Sequence, residues 1–291
     1  MFLDAALRDL AHADPRVRAQ AADALGRCDA GDRAAAVSAL GRATDDAHPS
    51  VRYAAALSLG ELGAHEAVET LIARLGDGEA LVREAAAIAL GQLGEAGGAP
   101  AWSALARALA ADEPEVRFQA VASLAEIDAA RAAPLVVALL DDADAKVRAQ
   151  AAAALGDAGD RRHADRIVRH LDDADDVRHE AALALARLGD RRAVPTLVGA
   201  LALADRALDA ATALAALGIG EDAAARAALS HEVARFFGDA LVKVRAAEAL
   251  AKAGDPRGGD YLRKAARSRR DDVRGLAQSV LSQLSADGTH R

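Results

Sequence analysis

The sequence predicts an all-α fold, built as a stack of about nine helical hairpins. Three observations carry this. A Val-Arg pair returns along the chain with alanine and leucine at fixed distances behind it. Apolar residues make up 52% of the 291 residues but aromatics only 2%, so the core is made of Ala, Leu and Val. Alternating runs of β-branched and aromatic residues, which mark strands, are absent.

The pair stands at Val17-Arg18, Val51-Arg52, Val82-Arg83, Val116-Arg117, Val147-Arg148, Val177-Arg178 and Val273-Arg274. Weaker copies, Arg206-Ala207 and Val242-Lys243, fill the gap. Three residues after the Arg position come Ala21, Ala55, Ala86, Ala120, Ala151, Ala181, Ala210, Ala246 and Ala277. Seven after it come Leu25, Leu59, Leu90, Leu124, Leu155, Leu185, Leu214, Leu250 and Leu281. Positions four apart share one helix face, so the two columns define a buried stripe. Eight after the Arg position the residue is always small, from Gly26 to Ser282, which suits a neighbouring helix at close range. Glycine in a helix costs about 1 kcal/mol against alanine, so packing is the reason to keep it.

Gly63, Gly94, Gly159, Gly189 and Gly218 stand where helices need a C-terminal cap. Acidic residues with Pro15, Pro49 and Pro114 mark helix starts. Between the ruler helices lie second amphipathic segments such as Ala67–Leu75, Ala132–Leu140 and Ala193–Leu201. Each repeat therefore reads as helix A, an acidic turn, and helix B beginning at Val-Arg. The boundaries are 1–30, 31–63, 64–95, 96–128, 129–159, 160–189, 190–219, 220–254 and 255–285, with a tail at 286–291. A lone hairpin cannot bury its apolar face, so neighbours stack into one solenoid over 1–291. The seventh repeat has lost its ruler pair and the eighth is long, so that junction is the expected weak point or bend.

The pattern D-x-x-V-R-x-x-A-A-x-A-L-G-x-L-G-D resembles HEAT repeats of the phycobilisome-lyase type, over nearly the whole chain. That resemblance implies a right-handed α–α superhelix. It also implies a structural ladder joining successive turns through Arg18, Arg52, Arg83, Arg117, Arg148, Arg178 and Arg274, most of them near an acid such as Asp14, Asp46, Glu113 or Asp142. For function it implies an adaptor, because such arrays serve many settings.

The net charge of −8 disfavours nucleic acid, which needs a basic balance or stripe. Cys28 is the single cysteine, and no Cys/His spacing suits zinc. The start, MFLDAALRDLAHADPRVR, carries acids where a signal peptide needs a basic region, and no eighteen-residue apolar run occurs. The expectation is a cytoplasmic protein with no membrane contact.

Deoxyhypusine hydroxylases resemble this architecture and bind two irons through four His-Glu pairs. Here His65-Glu66, His179-Glu180 and His231-Glu232 occur, and only His179-Glu180 follows a Val-Arg pair as in that family. One pair cannot hold a di-iron centre, so neither metal nor cofactor is expected. Phosphate loops and nucleophile motifs are also absent. Residues one, five and nine after the Arg position form a second stripe on helix B, away from the Ala/Leu face. Most are polar or small, whereas repeats two to four present Tyr53, Leu57, Ile88 and Phe118, with Gln119 beside them. Extra packing between B helices would explain these residues; so would a docking patch on the concave surface. A second candidate is the basic cluster Arg263, Lys264, Arg267, Arg269 and Arg270, which suits an acidic partner or an anion. The sequence thus reads as a non-enzymatic scaffold for a protein or peptide. The alternative is an accessory subunit of a bilin-lyase-like enzyme complex.

Overall fold

The computed structural model describes residues 2–288. Among them no strand occurs, and the helices fall into two compact units, Met1–Ala154 and Leu155–Arg291. In the first unit the order is α1 (Phe2–Asp9), α2 (Pro15–Leu25), α3 (Arg33–Ala43), α4 (Pro49–Glu61), α5 (Val68–Arg74), α6 (Ala80–Gln92), α7 (Gly98–Ala108) and α8 (Pro114–Val136). Extended backbone at Asp128 divides α8 in two, and the Asp128 carboxylate accepts the Arg131 amide at 2.9 Å to start the second segment. The unit boundary falls within α9 (Ala145–Asp157). The second unit continues with α10 (Ala164–Val168), α11 (Asp175–Arg187), α12 (Val194–Ala200), α13 (Ala207–Leu217), α14 (Ala223–Ala234), α15 (Ala240–Lys252), α16 (Pro256–Ala265) and α17 (Asp271–Gly288).

Helix starts obey local chemistry. Asp14 caps α2 through the Arg16 amide, and Pro15, Pro49 and Pro114 each take a first-turn position where no amide is needed. The B helices thus begin two residues before Val-Arg rather than at it. His48, not an acid, caps α4 through the Ser50 amide. Gly63, Gly94, Gly159, Gly189 and Gly218 all have positive φ, the conformation that lets the chain leave a helix without a side-chain clash.

The core follows the two columns. All nine alanines of the first are buried, and so are the leucines from Leu25 to Leu250. Leu281 is only half-buried and Ser282 exposed. Successive B helices pack directly: α2 on α4, α4 on α6 and α6 on α8 in the first unit, α11 on α13 and α13 on α15 in the second. Their closeness needs the small column. A Cβ added at Gly26 would lie 2.7 Å from Ser58 Oγ; at Gly60 or Gly156 it would meet the Cα of Ala89 or Ala184 at 2.7 Å.

Candidate functional site

Turns between helices A and B carry the arginine ladder, and its register is specific. Arg18 binds both carboxylate oxygens of Asp46 at 2.7 and 2.8 Å, and Arg52 binds Asp77 in the same fork at 2.8 and 2.7 Å. Arg117 does so with Asp142, and Arg83 reaches Glu113. The acid in each case belongs to the following turn, not to the arginine's own. The remaining N–H groups turn inward to local carbonyls: Arg52 to Asp46 O and Ala47 O, Arg117 to Ala111 O and Asp112 O. Arg148 donates to the carbonyls of Asp142 and Ala143. Hydrogen bonds from the guanidinium groups hold the carboxyls of Asp46, Asp77 and Asp142 below their ordinary range.

In the second unit the register differs. Arg178 pairs with Asp175 of its own turn, Arg274 with Asp271 of its own, and Arg206 reaches back to Asp176. The pairs of Arg178 and Arg274 are local to their own helices and join no two turns.

A second row of arginines, at the start of the A helices, was not visible as a column. Arg33 donates to Leu62 O and Gly63 O and pairs with Glu66 at 2.8 Å. Arg161 donates to Leu188 O at 2.7 Å, Arg191 to Ile219 O and Arg226 to Ala253 O. Each ties helix A to the end of the next helix B. The available signal was an Arg soon after the glycine that ends a helix, but its distance from that glycine varies.

The His-Glu pairs separate chemically. Glu66 is committed to Arg33, which holds its carboxyl low, and Glu232 pairs with Arg235 at 2.9 Å. His179 is buried in α11, and burial lowers its pKa while raising that of Glu180. Among the described residues no three His, Cys, Asp or Glu side chains are gathered as a metal would require.

The second B-helix stripe is mixed. Tyr53 is 36% exposed, while Leu57, Ile88, Phe118 and Gln119 are half-buried. Gln119 donates to Ser123 Oγ at 3.3 Å. Nine residues after the Arg position, Glu61, Gln92 and Glu126 are exposed. In the second unit the same columns turn inward at His179 and Val244 and outward at Arg187 and Thr212. The cluster at Arg263, Lys264, Arg267, Arg269 and Arg270 lies on α16 and the turn behind it, all exposed. Sequence reasoning missed the most exposed large apolar side chains among the described residues, Phe236 and Phe237. They stand in the turn between α14 and α15, outside the helix columns.

Helical hairpins, a buried Ala/Leu seam and arginine-tied turns together define an all-α repeat protein. Models of HEAT repeats match residues 3–91, 70–144 and 133–218, and a model of the PBS lyase HEAT-like repeat matches 242–268. The chain belongs to the HEAT-repeat family. No curated protein matches its sequence. Among solved structures it is similar to YibA of E. coli, at 22% identity and a TM-score of 0.64, over 86% of this chain and 92% of that one. It is also similar to an engineered protein at 23% identity and TM-score 0.58, over 97% and 88%. A Kap121p mutant matches at 15% identity and TM-score 0.65, over 97% of this chain and 37% of that one. At these identities the likeness concerns the fold. No helix of the described residues is long and apolar enough to cross a membrane.

Proposed function

We propose that the protein is a non-enzymatic docking scaffold, and that a basic, amphipathic segment of another protein binds the B-helix stripe of repeats two to four. The observation that carries this reading is Tyr53, a large ring left 36% exposed on α4 where most equivalent positions are small or polar. Leu57, Ile88 and Phe118 occupy equivalent positions on helices packed one on the next, and their half-exposed faces extend the same surface. Aromatic side chains bury large areas with few rotors to freeze, which makes them good anchors.

Charge favours a basic occupant. Acids outnumber Lys and Arg by 23 to 14 in residues 1–154, against 21 to 22 in residues 155–291. Glu61 and Glu126 stand at the edge of the stripe and Glu84 within it. Such a field steers a cationic segment and fixes its register more than it adds affinity.

Calorimetric titration with a partner recovered by native pull-down tests the reading. Tyr53→Ala/Phe118→Ala leaves helical content intact, since neither residue belongs to the Ala/Leu seam, and weakens binding at least tenfold, about 1.4 kcal/mol. Undiminished binding by the folded double variant would move the site off this stripe.

A further inference from the structure

The turns between helices A and B hold acids almost throughout: Asp45 and Asp46, Asp77 and Glu79, Asp112 and Glu113, Asp142 and Asp144. The last two turns depart from it at one place, although Asp239 still caps α15 and Asp271 and Asp272 still open α17. In the turn before α15 the place that Asp46 and Asp77 take before their own arginines is held by Phe237, preceded by Phe236. In the turn before α17 that place is Ser268, flanked by Arg267, Arg269 and Arg270. Neither place holds an acid: Asp239 serves as the cap and Asp271 pairs with Arg274 of its own helix, and the eighth repeat carries Lys243 in place of the arginine. Its ammonium donates to the carbonyl of Arg235 instead.

The side chains so released lie together. Phe236 is 90% exposed and Phe237 81%, with their rings edge to face at 4.8 Å. Phe236 stands on the rim of a groove of about 1000 Å³ formed by α14, α15, α16 and the start of α17. Val233, Ala240, Ala265 and Val273 give the groove apolar walls, and Tyr261 adds a half-buried ring. Arg263, Lys264 and Arg267 line it as well. Arg263 is paired with Asp260, but Lys264 and Arg267 have no carboxylate partner among the described residues. Large apolar side chains left bare to water beside solvated cations are the composition of an interaction surface.

We propose that this groove is a second docking site, and that it takes an acidic polypeptide segment carrying a large apolar side chain. The apolar residue packs against Phe236 and the groove wall while flanking carboxylates meet Lys264 and Arg267. Charge complementarity selects this occupant over a basic one. The apolar walls select it over a nucleic-acid strand, whose binding calls for a continuous track of cations along its phosphates. This site is opposite in sign to the stripe of repeats two to four, so one chain can hold two partners, or two segments of one partner, without competition.

A random-peptide phage library selected on the full chain separates the two sites. For the groove, the expected result is a family of peptides with Asp or Glu flanking Leu, Phe or Trp. These peptides lose at least tenfold in affinity on Phe236→Ser/Phe237→Ser and on Lys264→Glu/Arg267→Glu, and bind Tyr53→Ala/Phe118→Ala as they bind the unaltered chain. All six residues are surface or half-buried, and circular dichroism confirms that each variant keeps its helices. The proposal is overturned if no acidic family emerges, or if the acidic peptides bind either groove variant undiminished. It is equally overturned if a uridine oligonucleotide binds the groove more tightly than they do. Loss of the Tyr53-dependent family alone would defeat the first site and leave this one standing.

Discussion

Gly91 and Ser123 touch so closely that a methyl group added at Gly91 would sit 2.6 Å from the Ser123 Cβ. Ser123 is itself buried and donates its hydroxyl to Ala87 O at 3.1 Å, so it cannot swing aside. Ser58 stands in the same way against Gly26 and donates to Ala22 O. Gly91→Ala therefore forces α6 and α8 apart and costs about 1–3 kcal/mol, the usual result of overpacking. Adding Ser123→Gly restores the room, so the double variant loses less than the sum of its parts, with a coupling of about 0.5–3 kcal/mol. Urea unfolding of the two single variants and the double checks this; additive losses would mean the helices do not meet there.

Leu90 and Gln92, two residues apart on α6, test the helix faces. Leu90 is fully buried and Gln92 exposed. Leu90→Ala is expected to cost about 2–5 kcal/mol by emptying a site its neighbours cannot refill. Gln92→Ala stays within about 0.5 kcal/mol, as surface changes do. Equal losses in chemical denaturation would contradict the burial of one face.

That face was legible in the sequence because alanine and leucine four apart can share only one side of a helix. The partner of each ladder arginine was not. With acids in nearly every turn, Asp46 before Arg52 and Asp77 after it look equally suitable, and only the offset of stacked hairpins selects Asp77. Phe237 escaped notice for a related reason. The ruler was the helix, and this residue stands in a turn, at a place where Asp46, Asp77 and Asp142 stand in other copies. Tyr53 was legible as an outlier in its column, but the half-burial of Ile88 and Phe118 depends on side chains from neighbouring helices that no single column displays.

The Arg52–Asp77 fork gives stability a defined pH dependence. Asp77 is 4% exposed, and the hydrogen bonds from Arg52 hold its carboxyl below the ordinary 3.8. A group whose folded pKa is depressed contributes fully above its unfolded value, and that contribution fades as pH falls toward the folded one. Asp77→Asn removes the charge and is expected to cost about 1.5–3 kcal/mol near neutrality, the range for hydrogen bonds to charged groups. The gap between the two proteins then closes as pH falls from about 3.8 downward. Urea titrations across that range read it directly, and a gap that widened in acid would reverse the assigned sign.

Arg33 offers the sharpest test of the second row of arginines. Its guanidinium reaches the carbonyls of Leu62 and Gly63 at 3.1 and 2.9 Å and the Glu66 carboxylate at 2.8 Å. The two carbonyls lie just past α4, where the last turn of a helix leaves oxygens without intrahelical partners and the dipole is negative. A planar fork serves three acceptors at once, whereas an ammonium on a flexible stem serves them poorly. Arg33→Lys should therefore lose most of the stability that Arg33→Ala loses. Glu66→Gln should lose far less, because that ion pair is largely open to water and exposed pairs contribute at most about 1 kcal/mol. Raising the salt concentration should shrink the Glu66 effect and leave the Arg33 effect nearly unchanged. A lysine variant as stable as the parent, measured by urea unfolding, would show that charge alone holds α3 to the end of α4.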